Sequence, residues 1–128
     1  MLATALHLSG MDEILRQGLE NDNYVYAGYS AGAIVASKDL GIFTDSFGKR
    51  RGDLVETAEQ LYGEVYQKGL GIIDEYIIPH MDREDFAIAT TKAYKDVSAA
   101  NSVPVPLNDS DVAIVNNASM EILKGKDK

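Results

Sequence analysis

Gly28-Tyr29-Ser30-Ala31-Gly32 matches the pattern G-x-S-x-G. A serine at a tight turn between a strand and a helix projects its hydroxyl out of the sheet, where it can act as a nucleophile. Glycines on either side remove side chains that would clash across such a turn. The N–H of Ala31 would then open a helix and point to where an oxyanion develops. The plainer alternative is a glycine-rich turn in which the Ser30 hydroxyl caps the helix.

A serine nucleophile requires a base, and the chain has two histidines. His7 falls in the first helical stretch and reads as a surface residue. His80 ends the run Tyr76-Ile77-Ile78-Pro79-His80. Open α/β sheets place their sites at the carboxyl ends of parallel strands, so Ser30 and His80 are expected at one edge of one sheet. A carboxylate should hold the histidine in the correct tautomer. Asp39, Asp45, Asp53, Asp74 and Asp82 are all candidates, and spacing does not choose among them.

The elements that must position these residues follow from local pattern. Residues 1–21 read as helical with a break at Ser9-Gly10, and Met11 to Leu19 has an apolar face built on Ile14, Leu15 and Leu19. Tyr24 to Ala27 reads as a strand, rich in aromatic and β-branched residues. The small residues of Ala31 to Lys38 suggest a helix lying close to a sheet. Leu40 to Arg51 reads as loop or hairpin, and Leu54 to Tyr66 as a helix interrupted by Gly63. Glu75 to Pro79 is a continuous apolar run, as expected of a strand buried on both faces.

A helix follows over Arg83 to Asp96, with Phe86, Ile88, Ala89, Ala93 and Tyr94 on one face. Ser102 to Leu107 is an edge-like strand, because proline cannot donate to a ladder. Asn108 to Asp111 is a turn. Val112 to Val115 and Met120 to Leu123 form a hairpin, and the last five residues read as a frayed tail. Helices alternating with strands define an α/β fold: a mostly parallel sheet flanked by helices, with a C-terminal β-hairpin.

Composition narrows the chemistry. The 128 residues make one domain, 1–128, large enough for its own core. With no cysteine, disulfides, thiolate metal sites and cysteine nucleophiles are excluded. A formal net charge of −8 repels phosphate backbones, so a nucleic-acid partner is not expected. Lys49, Arg50 and Arg51 read as a solvated loop. No apolar run approaches the ~18 residues that cross a bilayer, and the first residues lack a basic leader region. A cytoplasmic protein without a membrane partner is the expectation.

"YAGYSAGAIVAS" followed by "GLGIIDEYIIPHMD" resembles the dipeptidase E group, peptidase family S51. "VPVPLNDSDVAIVNNASMEIL" resembles that family's closing strands. Cyanophycinase belongs to the same wider group. The resemblance implies a class I glutamine amidotransferase-like fold, with serine in place of the amidotransferase cysteine. Ser30 then matches the nucleophile, His80 the base and Ala31 an oxyanion donor. Asp45, one helix and a loop past the serine, matches the acid, with Asp39 second. Arg83 is the basic group nearest His80 for substrate binding, although it makes no clear match to the family's basic patch and pairing with Glu84 or Asp85 on the helix surface is the plainer reading. The family's second oxyanion donor lies in a "GGN"-like loop on an earlier strand, and this sequence holds no such loop. The expectation is a fold shortened at its N-terminus, with the Tyr24–Ala27 strand left as an exposed edge.

Three readings follow. The first is a serine peptidase cleaving short peptides through a Ser-His-Asp/Glu triad, with no metal or organic cofactor. The second is a non-catalytic remnant or subunit of that fold acting by association, for which the exposed edge offers a homodimer contact. The third, an α/β-hydrolase esterase, shares the elbow, but this chain is short for that fold and His80 lies mid-chain.

Overall fold

The computed structural model describes residues 1–43, 56–57, 59–116 and 119–125. Helices α1 (Leu2–Leu8) and α2 (Met11–Glu20) are separated by Gly10, whose φ of 71° ends the first and starts the second. That left-handed conformation favours glycine. Within α2, Asp12 and Glu13 occupy the first turn, where acids suit the free N–H groups, and Arg16 bridges both. Helix α3 is short, Ala31–Val35. Residues 56–57 and 59–62 are helical, inside the stretch expected to be so.

At the centre, β1 (Tyr76–Ile78) pairs in parallel with β2 (Pro104–Pro106), Ile77 opposite Val105. Leu107 N–H donates to Ile78 O at 3.0 Å, so the odd positions of β2 face β1. The prolines at 104 and 106 therefore point to the outer edge, where no ladder donor is missed. A parallel bridge between Ser37 and Ile73 extends the same architecture.

Side chains of a strand alternate between faces, and β1 uses both. Ile77 joins Val105, Ala36, Ile73 and Leu107, over which Tyr26, Ala113 and Met120 pack. Ile78 turns the other way onto Phe43, Ala93 and Val97. Helix α4 (Ala87–Ala99) supplies Ala93 and Val97 and follows a 3₁₀ turn at Glu84–Phe86. Its buried face is Thr90, Ala93 and Val97, not the face through Ile88 expected from the sequence, since Ile88 is 89% exposed. The hairpin of β3 (Val112–Asn116) and β4 (Ser119–Leu123) closes the chain, in register from Val112↔Leu123 to Asn116↔Ser119.

Two further expectations are corrected. Tyr24 to Ala27 forms no strand. A strand exists only through a ladder, and among the described residues no backbone group pairs with Val25, Tyr26 or Ala27. The C-terminal segment is not frayed at Lys124 and Gly125, both of which are tied to Asp111. Among the described residues no helix is long and apolar enough to cross a membrane.

Candidate active site

Ser30 sits between the 24–28 segment and α3 with φ 52° and ψ −115°, a combination sparsely populated by residues with a side chain. Two contacts force this turn. Gly28 lies so close to α3 that a Cβ there would stand 2.6 Å from the backbone of Gly32 and 2.9 Å from Ala33 N. The Tyr26 hydroxyl donates to Gly32 O at 2.7 Å, locking the lead-in to the helix it precedes. Burial of that phenol raises its pKa. Gly32 itself meets nothing closer than 3.7 Å, so only the first glycine of the pattern is required by space. The Ser30 hydroxyl makes no capping bond to α3, which removes the plain reading of the turn.

That hydroxyl instead meets His80. Ser30 Oγ and His80 Nε2 are 2.9 Å apart. His80 follows β1 and Pro79, is buried, and takes φ 66°. Its Nδ1 lies 2.5 Å from Asp109 Oδ1. An ionised carboxylate only accepts, so Nδ1 carries the proton, and Nε2 of the neutral ring is left to accept from Ser30 O–H. Such conformations cost of order 1–3 kcal/mol each and persist where the surroundings over-determine them. Here both are over-determined by the contacts the two side chains make.

Aromatic rings complete the frame around the imidazole. Phe86 stacks on it at 4.8 Å between centroids, and Tyr29 meets it edge-on at 5.7 Å. Phe86 arrives from the 3₁₀ turn that follows His80, and Tyr29 is the neighbour of Ser30, so both rings come with the residues they flank.

The carboxylate that reaches His80 is Asp109, which is not among the acids expected from the sequence. It lies in the Asn108 to Asp111 turn after β2, and its N–H donates to Asp82 Oδ1 at 3.0 Å. What places it there is tertiary. β1 and β2 are parallel, so residues following Pro79 and Pro106 arrive at the same edge of the sheet. Of the expected acids, Asp45 and Asp53 lie outside the described residues. Asp39 accepts from Gly41 N–H at 2.7 Å and Asp74 pairs with Lys38; neither reaches His80. Arg83 is held in a two-pronged pair with Asp85, at 2.9 and 2.7 Å, and its guanidinium carbon lies 5.1 Å from the Phe86 centroid. It borders the site, with its fork already filled. His7 stacks on Tyr66 and bonds Asp12, far from this chemistry.

A serine, histidine and aspartate joined in one hydrogen-bonded line at the carboxyl edge of a parallel sheet is an arrangement found in hydrolases. The family model described as Peptidase family S51 matches residues 1–123, and the chain belongs to that family. Among solved structures it is similar to a "Putative Peptidase E Protein" from Listeria monocytogenes EGD-e, with a TM-score of 0.73 at 15% identity. That match covers 98% of this chain and 55% of the other, and at such identity it is a likeness of fold. The chain thus spans about half the length of that structure. A comparison with curated proteins returned no match.

Proposed function

We propose that this chain is a serine peptidase that cleaves short peptides, with Ser30 as nucleophile, His80 as general base and acid, and Asp109 in place of the expected Asp45. The observation that carries the reading is the unbroken line from Ser30 Oγ through His80, at 2.9 and 2.5 Å, to the Asp109 carboxylate. Ser30 Oγ attacks the peptide carbonyl carbon while His80 Nε2 takes the hydroxyl proton. Asp109 stabilises the imidazolium so formed and keeps the ring from turning. His80 then passes the proton to the departing amine nitrogen as the C–N bond breaks. Water, deprotonated by His80 Nε2, attacks the acyl-serine carbonyl; the acyl C–O bond breaks, the acid product leaves, and the proton passes from His80 Nε2 to Ser30 Oγ.

Ala31 opens α3, so its N–H has no partner within the helix and is the oxyanion donor this chain supplies. One such donor is worth about 10²–10³ in rate. A substrate carboxylate approaching Arg83 would have to displace Asp85, which makes Arg83 a border residue of the substrate site in this reading.

The test is labelling of the purified chain with a fluorophosphonate, read by intact mass. One adduct is expected, absent in Ser30→Ala. A folded wild-type protein that takes no label would sink the peptidase reading. The second reading, action through association, has its own support: Val25 is 96% exposed and the backbone of Val25, Tyr26 and Ala27 is unpaired among the described residues. It predicts dimers or larger species in solution and no adduct.

A further inference from the structure

The turn that carries Asp109 lies outside any ladder: β2 ends at Pro106 and β3 begins at Val112. Its geometry is set by two other carboxylates. Asp82 takes the N–H of Asp109. Asp111 takes the N–H of Asn108 at 3.0 Å, and its own N–H returns to Asn108 O at 3.1 Å, which closes the turn on itself. The Asp111 side chain is only 2% exposed and has further partners. Lys124 Nζ donates to it at 2.8 Å and Gly125 N–H at 3.1 Å. The ammonium of Lys124 leads the contacts that hold its pKa below the ordinary carboxylate value.

Gly125 also packs directly against Ser110. A Cβ at position 125 would stand 2.2 Å from Ser110 Cβ, 2.3 Å from its Oγ and 2.5 Å from its carbonyl oxygen. Backbone and side chain of Ser110 would both have to move, and Ser110 is the residue after Asp109. The chain leaving β4 is therefore braced against Ser110 and Asp111, the two residues that follow Asp109.

We propose that Asp111 and the Lys124–Gly125 segment are positioning elements for the acid of the triad, fixing the Asn108 to Asp111 turn and through it the reach of Asp109 to His80 Nδ1. None of the three touches substrate or the reacting atoms. Their effect is through placement, and a displacement of ~1 Å in such a group can cost 10²-fold in rate. The inference rests on Asp109 serving as acid in the proposed peptidase, but its geometric part can be measured without turnover.

The experiment uses the full chain with Gly125→Val, Asp111→Ala and Asp111→Asn. It follows the far-downfield proton resonance of His80 Nδ1–H, assigned by its loss in His80→Gln, together with the rate of fluorophosphonate labelling and the melting temperature. Gly125→Val and Asp111→Ala should each shift or abolish that resonance and slow labelling at least tenfold, with both proteins still folded. Asp111→Asn, which keeps one acceptor oxygen, should fall between them and wild type. An unchanged resonance in both severe variants overturns the proposal, as does its absence from wild type. If Gly125→Val does not fold, Lys124→Met, which removes one contact from an exposed side chain, is read by the same criteria. A wild-type chain that takes no label yet loses the resonance on substitution would refute the peptidase reading and leave this inference standing.

Discussion

Ser30 and His80 lie within hydrogen-bond distance, yet the chain segments that deliver them are held in opposite ways. The His80 side is anchored by the best-packed part of the molecule. β1 pairs with β2, Ile78 is fully enclosed by Phe43, Ala93 and Val97, and Met81 N–H donates back to Leu107 O. The Ser30 side enters through Val25, Tyr26 and Ala27, whose backbone makes no ladder among the described residues. It is restrained largely by side chains: the Tyr24 ring lies across Gly18, the Tyr26 ring enters two apolar clusters, and the Tyr26 hydroxyl grips Gly32. The contrast shows that the Ser30 turn can keep its shape without a ladder beneath it. What it needs is a close backbone approach at Gly28 and one well-placed hydrogen bond.

The largest effect that separates the two sides concerns the acid. Asp109→Asn keeps the shape of the carboxylate but lets the imidazole adopt the wrong tautomer. In other serine triads that loss costs about 10⁴-fold in turnover, and a similar fall in labelling rate is expected here. Asp45→Asn, the acid first expected from the sequence, should leave the rate within threefold. The opposite ranking would place the acid elsewhere and break the comparison at its strongest point.

These residues also show where legibility ends. Ser30 and His80 could be read because each sits in a local pattern whose physics is complete within a few positions. Asp109 could not, because 29 residues separate it from its partner and the chain offers 20 acidic residues to choose from. Its place depends on β2 lying parallel beside β1, a tertiary fact. The Tyr24 to Ala27 strand failed for a related reason: propensity describes one chain segment, whereas a strand is a property of two. The α4 face was misread because Ile88 fits an apolar stripe as well as Thr90 does, and only packing against Phe43 and Ile78 decides between them. From Tyr76 onward the element order, both prolines of β2 and the hairpin were legible, since turn chemistry and missing donors act locally.

A second, smaller effect tests the packed side. Ile78 has no exposed surface and packs with Phe43 and, from α4, Ala93 and Val97. Ile78→Ala removes buried methylenes and leaves a cavity that the two-sided sheet cannot collapse. A loss of about 2–5 kcal/mol is expected from such sites, measured by urea unfolding. A loss under 1 kcal/mol would mean that the β1–α4 contact is not the anchor described here.

The smallest effect is expected on the other side, and it is the most informative about what surrounds the chain in solution. Val25 belongs to the same apolar run as Tyr26, and by propensity it should matter as much as a strand valine. Its side chain is 96% exposed, so Val25→Ala removes almost no burial. The same logic holds for Val25→Asp, which adds a solvated charge to an open surface. Both should change unfolding free energy by no more than about 0.5 kcal/mol, the usual range for surface positions away from special features. A larger loss from Val25→Asp, shrinking as the protein is diluted, would mean that another polypeptide covers this segment. Unpaired edges are templates for such pairing, and the two sides of the site would then be held alike, one by its own chain and the other by a partner.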